Sequence, residues 1–380
     1  MKILVIGSGM MGSALAHDLA HSSGVENIIL ADIDLERATR VAKLLGTKTD
    51  ARQLDSNNFA DVVKLMKTVD AAVGATSYTH NLALTKAAIE ARIHFCDLGG
   101  NMDVVDRQLA LDADAKQAGV CILPNCGLAP GLACVVAAGG AKKFSNVDAL
   151  HIRVGGLPQY PQPPLNYQLV FSAEGLINEY LEPAEVIRNG EVKTVPSMIE
   201  LEELEFPEPF GTLEAFNTSG GVSTLTRMFG GKVREMDYKT IRYKGHCEKF
   251  KTLLDLGFAS NEPIMVGNSV RTAREVFEEM LRRKLPSNGP DVVLMRVSIN
   301  GMMSGSQKTL AYEMIDYYDE SAKITSMMRT TAFPTSIVTQ MAVDGTITAR
   351  GVNPPEHCVP LEPLIRELKK RKIVIRETIQ

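Results

Sequence analysis

The sequence predicts an α/β protein with an N-terminal doubly wound parallel sheet, a second domain of mixed α+β structure, and a C-terminal helical segment that packs back on the first domain. Three observations carry this expectation. A glycine-punctuated turn links an apolar strand to a helix at the start of the chain. Strands and helices then alternate with short connections to about residue 143, as parallel strands with crossover helices require. Beyond residue 144 that alternation gives way to strands separated by long stretches rich in Pro and Gly. The expected domains are residues 1–143, 144–330 and 331–380.

Lys2-Ile-Leu-Val-Ile6 is a run of branched apolar residues, followed by Gly7-Ser8-Gly9-Met10-Met11-Gly12 and a helix with Leu15 and Leu19 on one face. Gly7 permits a tight turn, Gly9 lets a pyrophosphate approach the backbone, and Gly12 lets the helix pack on the strand. A second strand, Asn27-Ile-Ile-Leu-Ala31, ends in Asp32, suited to hydrogen-bond an adenosine ribose. This is a dinucleotide-binding (Rossmann) pattern. The Asp32 carboxylate should repel a 2′-phosphate, so NAD is the expected cofactor, although Arg37 could pair with that phosphate.

Further strands are expected near residues 46–50, 69–74, 93–98 and 119–124, with helices near 34–45, 58–67, 79–91 and 103–117. Ligands gather at the carboxyl ends of such strands. The candidate cofactor contacts are therefore Gly7, Ser8, Gly9, Met10, Met11, Gly12, Asp32, Asp50, Ala75, Thr76, Ser77, Leu98, Gly99, Leu128 and Pro130. Tyr78, in the loop after the fourth strand, is grouped with the substrate contacts. Pro130 is expected in the first turn of another helix, whose free N–H groups would face the nicotinamide or substrate.

In the second half, Val147 to Val154 and Val292 to Ile299 read as strands. The segment from Gly155 to Pro164 is expected to be an extended connector because of its prolines. Ser172 should cap a helix that carries Leu176, Ile177 and Tyr180 on its inner face. The tail shows Ile337, Val338, Met341 and Ala342 at helical spacing, then a final amphipathic helix near 361–371.

With 45% apolar and 23% charged residues the chain has the composition of a soluble globular protein, and a net charge of −4 gives no electrostatic footprint for nucleic acid or membrane surfaces. Six cysteines are scattered without a CxxC pair, which indicates neither a metal site nor a disulfide framework and fits a cytoplasmic location. The chain enters its first strand at residue 2, so no signal peptide is expected. The apolar stretch 122–141 is broken by Pro124, Asn125, Gly127 and Pro130, which argues against a membrane span. A small-molecule substrate and a homodimer are the expected partners.

Taken together, Gly7 to Gly12, Asp97-Leu-Gly-Gly100, Gly127-Leu-Ala-Pro-Gly131, Gly155-Gly-Leu-Pro158, Phe171-Ser-Ala-Glu-Gly-Leu176, Glu214-Ala-Phe-Asn-Thr-Ser-Gly-Gly221, Thr240-Ile-Arg-Tyr-Lys-Gly-His246 and Pro354-Pro-Glu356 resemble the saccharopine dehydrogenase-like family, most closely its lysine 6-dehydrogenase branch. The resemblance implies NAD-dependent oxidation at the ε-amine carbon of L-lysine, giving a semialdehyde that cyclises, with release of ammonia. The saccharopine branch, which interconverts a secondary amine with an aldehyde plus glutamate, is the alternative; a nucleotide-sensing protein without catalysis is the reading from another class.

Hydride leaves from a neutral amine, whereas a lysine ammonium has a pKa of about 10.4, so the chemistry needs a proton acceptor that also stabilises an iminium. Asp97 is the first candidate, with Glu174 and His246 behind it. Arg242 is suited to the substrate α-carboxylate, with Ser172, Thr218 and Ser219 as hydroxyl donors. Each has a structural reading as well: Asp97 could hold its own turn, and Arg242 could form an internal ion pair. A second dicarboxylate would call for further cations, for which Arg153 and Arg227 are available.

Overall fold

The computed structural model describes residues 1–287 and 289–380, which form two compact units. One comprises residues 1–143, 223–225 and 328–375; the other comprises residues 144–222, 226–327 and 376–380.

In the first unit the chain runs β1 (Lys2–Ile6), α1 (Met10–His21), β2 (Asn27–Asp32), α2 (Leu35–Leu45), β3 (Thr49–Gln53), α3 (Phe59–Met66), β4 (Ala71–Gly74), α4 (Asn81–Ala91), β5 (His94–Asp97), α5 (Met102–Leu109), α6 (Asp112–Ala118), β6 (Cys121–Leu123) and α7 (Ala133–Ala141). The seven-stranded sheet has the order Gly351–Val352, β6, β5, β4, β1, β2, β3, and every pairing is parallel. Strand order reverses between β1 and β4, which opens the crevice where such sheets bind ligands. Fully buried Leu4, Phe95 and Ile122 pack with Leu84, Ala87 and Ala88 of α4 in one core.

Three sequence expectations shift. The third strand lies at Thr49–Gln53, because Gly46 at φ +84 ends α2 and the chain must turn before it can extend. The helix expected near 103–117 is two helices, α5 and α6. The seventh strand, Gly351–Val352, comes from the tail, beyond the six strands expected.

The second unit contains β7 (Asn146–Pro158), α8 (Ala173–Leu181), β8 (Ala184–Arg188), β9 (Glu191–Val195), β10 (Glu202–Phe206), β11 (Gly211–Asn217) and β12 (Glu235–Tyr243), followed by helices His246–Asp255 and Ala273–Lys284. Its main sheet runs β10, β11, β12, β7, Asp291–Met303, Ser306–Tyr317 and Ile375–Ile379, with β8 and β9 branching from β12. The β12–β7 pair is parallel over Ala149–Val154, and β7 is antiparallel to Asp291–Met303 as far as Pro158, so Gly155–Pro158 are still paired on one side. The Gly155–Pro158 motif is therefore the end of that strand rather than a connector. Glycine explains it: a Cβ on Gly155 would stand 2.4 Å from the Ile241 carbonyl oxygen on β12. The last residues also depart from expectation, because 376–380 belong to the second unit.

Side chains alternate across β12, so Tyr238, Thr240 and Arg242 share one face while Asp237, Lys239 and Ile241 share the other. The first face joins the aromatic cluster of Phe216, Tyr180, Phe250 and Phe277. Among the described residues no helix is long and apolar enough to cross a membrane.

Candidate functional site

The crevice of the first unit is built on its glycines. Gly7 turns at φ +104, and a Cβ there would meet the Ala75 carbonyl oxygen at 2.5 Å. A Cβ on Gly12 would lie 1.8 Å from the Gly7 carbonyl oxygen, so only glycine lets α1 start this close to the turn. Gly9 differs: nothing lies within 4 Å of its would-be Cβ, and as the N-cap of α1 it has no side chain to bond the first turn. The N–H groups beginning at Met10 and Met11 are left uncapped at a helix N-terminus, which suits a pyrophosphate. Thr76, whose methyl lies against Gly7, has a buried hydroxyl without a hydrogen-bond partner. An open backbone cradle and an orphaned buried hydroxyl fit a bound dinucleotide.

At the ribose end the geometry departs from expectation. Both Asp32 oxygens are already engaged: Oδ2 accepts from the Ser8 N–H at 2.6 Å and the Ser8 hydroxyl at 2.8 Å, and Oδ1 accepts from the Asp34 N–H at 2.9 Å. Arg37 Nη2 donates to both, at 2.8 and 2.9 Å. Burial would raise this carboxyl, but the donors of Asp34, Ser8 and Arg37 outweigh it and hold the pKa at about 2. The half-exposed Arg37 guanidinium thus offsets the Asp32 charge on which the expected preference for NAD rests. Asp50 is displaced as well, being the second residue of β3, exposed and bonded to the Asn27 side chain, away from the strand's carboxyl end.

The loops after β5 and β6 are tied together by Asp97, which also bonds Gln108 of α5. It is wholly buried; Oδ1 accepts from the N–H groups of Gly99 at 2.8 Å and Asn125 at 3.2 Å, and Oδ2 accepts from Gln108 Nε2 at 2.7 Å. Burial raises its pKa despite these donors. With no open face it is a positioning residue rather than the proton acceptor expected. Gly99, at φ +78, leaves only 2.1 Å between a Cβ and Asn125 Oδ1, and Leu98 and Tyr78 are half-buried beside this turn or its partner loop. Ser77 caps the short turn through the Thr79 N–H. Leu128 is buried, but Pro130 is not in a helical first turn: residues 129–131 have non-helical backbone and α7 begins at Ala133. Glu356 explains the Pro-Pro-Glu motif, since Oε1 accepts from the Thr224 N–H and hydroxyl and so holds the 223–225 segment.

The second unit holds a separate polar cluster on the aromatic face of β12. Arg242 is 3% exposed; Nε donates to the Tyr180 hydroxyl at 2.7 Å, Nη1 to the Ile241 carbonyl at 2.9 Å, and its carbon lies 4.9 Å from the centre of the Tyr167 ring. Thr218 and Thr240 hydroxyls bond each other at 2.7 Å and both reach Glu179 Oε1, at 3.4 and 2.7 Å. Ser219 bonds the Glu179 carbonyl. The structure thus gathers Arg242, Thr218 and Ser219 around Glu179, which sequence reasoning missed. A carboxylate between Leu176 and Tyr180 on a buried stripe was the available signal.

His246 belongs to the cluster as a structural member. Its Nε2 meets the Tyr180 hydroxyl at 3.1 Å and its Nδ1 the Leu165 carbonyl at 2.9 Å. Burial, aided by the Arg242 charge, pushes its pKa down to about 3, so the ring is neutral and fully bonded rather than a proton acceptor. Glu174 is exposed in the first turn of α8, and Ser172 is spent as that helix's N-cap, accepting from the Gly175 N–H at 3.0 Å. Neither lies in the cluster.

Residues 3–123 match the saccharopine dehydrogenase NADP binding domain and residues 127–374 the saccharopine dehydrogenase C-terminal domain. The chain belongs to the saccharopine dehydrogenase family. Within that family it is similar to the saccharopine dehydrogenase [NADP(+), L-glutamate-forming] of Pyricularia oryzae, 22% identical over 97% of each chain. It is also similar to the carboxynorspermidine synthase of Vibrio cholerae, 25% identical over 70% of this chain and 68% of that one. The mitochondrial alpha-aminoadipic semialdehyde synthase of Mus musculus is 21% identical over 98% of this chain, which spans only 47% of that protein. The solved apo saccharopine dehydrogenase (L-Glu forming) of Saccharomyces cerevisiae shares the fold, with a TM-score of 0.83 at 19% identity, covering 100% of this chain and 99% of that one.

Proposed function

We propose that this chain is a nicotinamide-dependent oxidoreductase that acts at a carbon bearing nitrogen in an amino acid, and that its substrate is L-lysine, oxidised at the ε-amine carbon. A bound nicotinamide supplies the hydride acceptor. Water then replaces the nitrogen on the oxidised carbon, which releases ammonia and leaves the semialdehyde. The cradle from Gly7 to Gly12 binds and orients the dinucleotide, and Asp97 fixes the loops after β5 and β6 around it.

The observation that carries the substrate reading is how the cations of β12 and its neighbour β7 are engaged. Arg242 is a buried guanidinium with one edge still open, enough for a single α-carboxylate. Arg153, the cation a second dicarboxylate would need, is committed: it pairs with Glu202 and, at 2.6 Å, with Asp237. Lys239 is committed to Glu202 at 2.9 Å. A single Arg242 edge without a hydrogen-bond acceptor among the described residues suits lysine better than saccharopine.

The full-length similarity to proteins named saccharopine dehydrogenase [NADP(+), L-glutamate-forming] favours a second reading, formation or cleavage of a secondary amine with glutamate. Parallel assays with lysine and with saccharopine, reading reduced nicotinamide and ammonia together, separate the two. Ammonia matched to reduced cofactor supports lysine oxidation; saccharopine turnover without ammonia supports the second reading.

A further inference from the structure

We propose that Glu356, Thr224 and His357 form a proton path that carries the proton lost by the substrate amine to solvent, with Glu356 receiving it. This rests on the amine-oxidising reading above and supplies the proton acceptor that Asp97 and His246 cannot be.

All three residues belong to the first unit. Gly351–Val352 pairs in parallel with β6, and the Asn353 N–H bonds the Ile122 carbonyl at 2.8 Å. The residues that follow therefore leave the sheet at the same carboxyl edge as the loop after β6, where ligands of such sheets bind. Ser223, next to Thr224, accepts from Asn125 Nδ2 at 3.1 Å, and the Asn125 N–H is held by Asp97. These bonds tie the path to the loops that border the crevice.

Glu356 is 2% exposed, and its two oxygens differ. Oε1 accepts from the Thr224 N–H at 3.0 Å and the Thr224 hydroxyl at 2.7 Å. Oε2 is buried with no hydrogen-bond partner among the described residues. A buried carboxylate oxygen left without a donor is costly, and in a native protein it calls for a functional explanation. The Thr224 hydroxyl is itself buried and lies 2.9 Å from Nε2 of His357, which is exposed. The contacts thus run from an interior oxygen to the surface in two steps.

The protons balance along them. The amine nitrogen gives its proton to Oε2 in the substrate complex, where such contacts are commonly first made. A half-turn of the carboxyl brings the new O–H to Thr224, whose single hydrogen points to the unprotonated Nε2. Handing the proton on leaves Glu356 ionised and the ring an imidazolium, with Nε2–H donating to Thr224 and Thr224 to Oε1. The ring then gives its Nδ1 proton to water, and exchange with water restores the starting tautomer. The same heavy-atom contacts serve both states.

The test is nicotinamide reduction by L-lysine, or by saccharopine if the parallel assays favour it, in dilute buffer near pH ~7, where the substrate amine is protonated. The parent is compared with Glu356→Gln, Thr224→Val and His357→Ala, and dinucleotide affinity is measured on each. The turnover number should fall roughly 10²- to 10⁴-fold for Glu356→Gln and about 10-fold or more for the other two, with dinucleotide affinity within about twofold of the parent. Imidazole added to His357→Ala should restore most of the lost rate, and Thr224→Ser should retain it, responses that a merely structural role would not give. The path is overturned if His357→Ala turns over at the parent rate or if imidazole leaves it slow, and either result leaves amine oxidation by the parent standing. A parent that reduces nicotinamide with none of lysine, ornithine or saccharopine defeats the functional reading and the path with it.

Discussion

Arg37 shows how one side chain can reverse the meaning of another. The acid at the end of β2 suggests exclusion of a 2′-phosphate, yet Arg37 covers that acid with two hydrogen bonds and remains half-exposed. Arg37→Ala should therefore weaken NADPH binding by about 10- to 100-fold, because it removes a cation and bares a carboxylate, while NADH binding changes little. Fluorescence titration of both dinucleotides measures this; equal loss for both would show that Arg37 only supports the turn. His246 makes a prediction about pH. Its folded pKa is depressed to about 3 from the ordinary 6.5, so the unfolded chain takes up the proton first. The stability this gives is fully present above about pH 6.5 and falls, as pH drops towards 3, by about 1.4 kcal/mol per unit. Asp291 acts in the opposite sense: burial lifts its carboxyl to about 6, so its contribution is present below 3.8 and is lost as pH rises through 6. The two slopes oppose each other in mild acid. Denaturant melts of His246→Gln across pH 4 to 6 (about the window between these values) should expose the Asp291 slope, with stability declining as pH rises. An unchanged profile would mean His246 titrates normally.

Glycines that look alike in sequence do different work in the first turn of the sheet. Gly12→Ala drives a Cβ into the Gly7 carbonyl and should destabilise the fold by about 1–3 kcal/mol. Gly9→Ala meets nothing, so stability should stay within about 0.5 kcal/mol of the parent while dinucleotide binding drops sharply. Thermal melts beside cofactor titrations separate the two, and a matched loss of stability in both variants would remove the phosphate role from Gly9. At this scale the first unit was legible because the 3.6- and two-residue periods alternate cleanly there and Gly, Asp and Asn mark the ends. Two features resisted. Gly155–Pro158 was hidden because glycine and proline normally punctuate, whereas here Gly155 admits the β12 backbone and Pro158 closes the strand. The Pro130 turn was hidden because a proline before an apolar run looks like a helix start, and only the backbone angles at 129–131 show otherwise.

Across the whole molecule, the α/β class, the parallel first sheet and the mixed second sheet followed from the sequence, whereas the candidate chemistry followed only in part. Arg242, Thr218 and Ser219 do converge, but Asp97 and His246, both attractive as ionisable residues in family motifs, have every polar atom occupied by neighbours the sequence cannot place: Gln108 and Asn125 for the first, Tyr180 and Leu165 for the second. Glu179 carries no motif and is visible only through the company it keeps. The activity proposed for this chain is oxidation of an amino-acid amine by nicotinamide. The most direct measurement follows reduced nicotinamide and ammonia together, with L-lysine and either NAD or NADP at alkaline pH, where the substrate amine is neutral. Lysine-dependent formation of reduced cofactor with ammonia in equal amount is the expected result. Tight dinucleotide binding with no reduction by lysine, ornithine or saccharopine would contradict it.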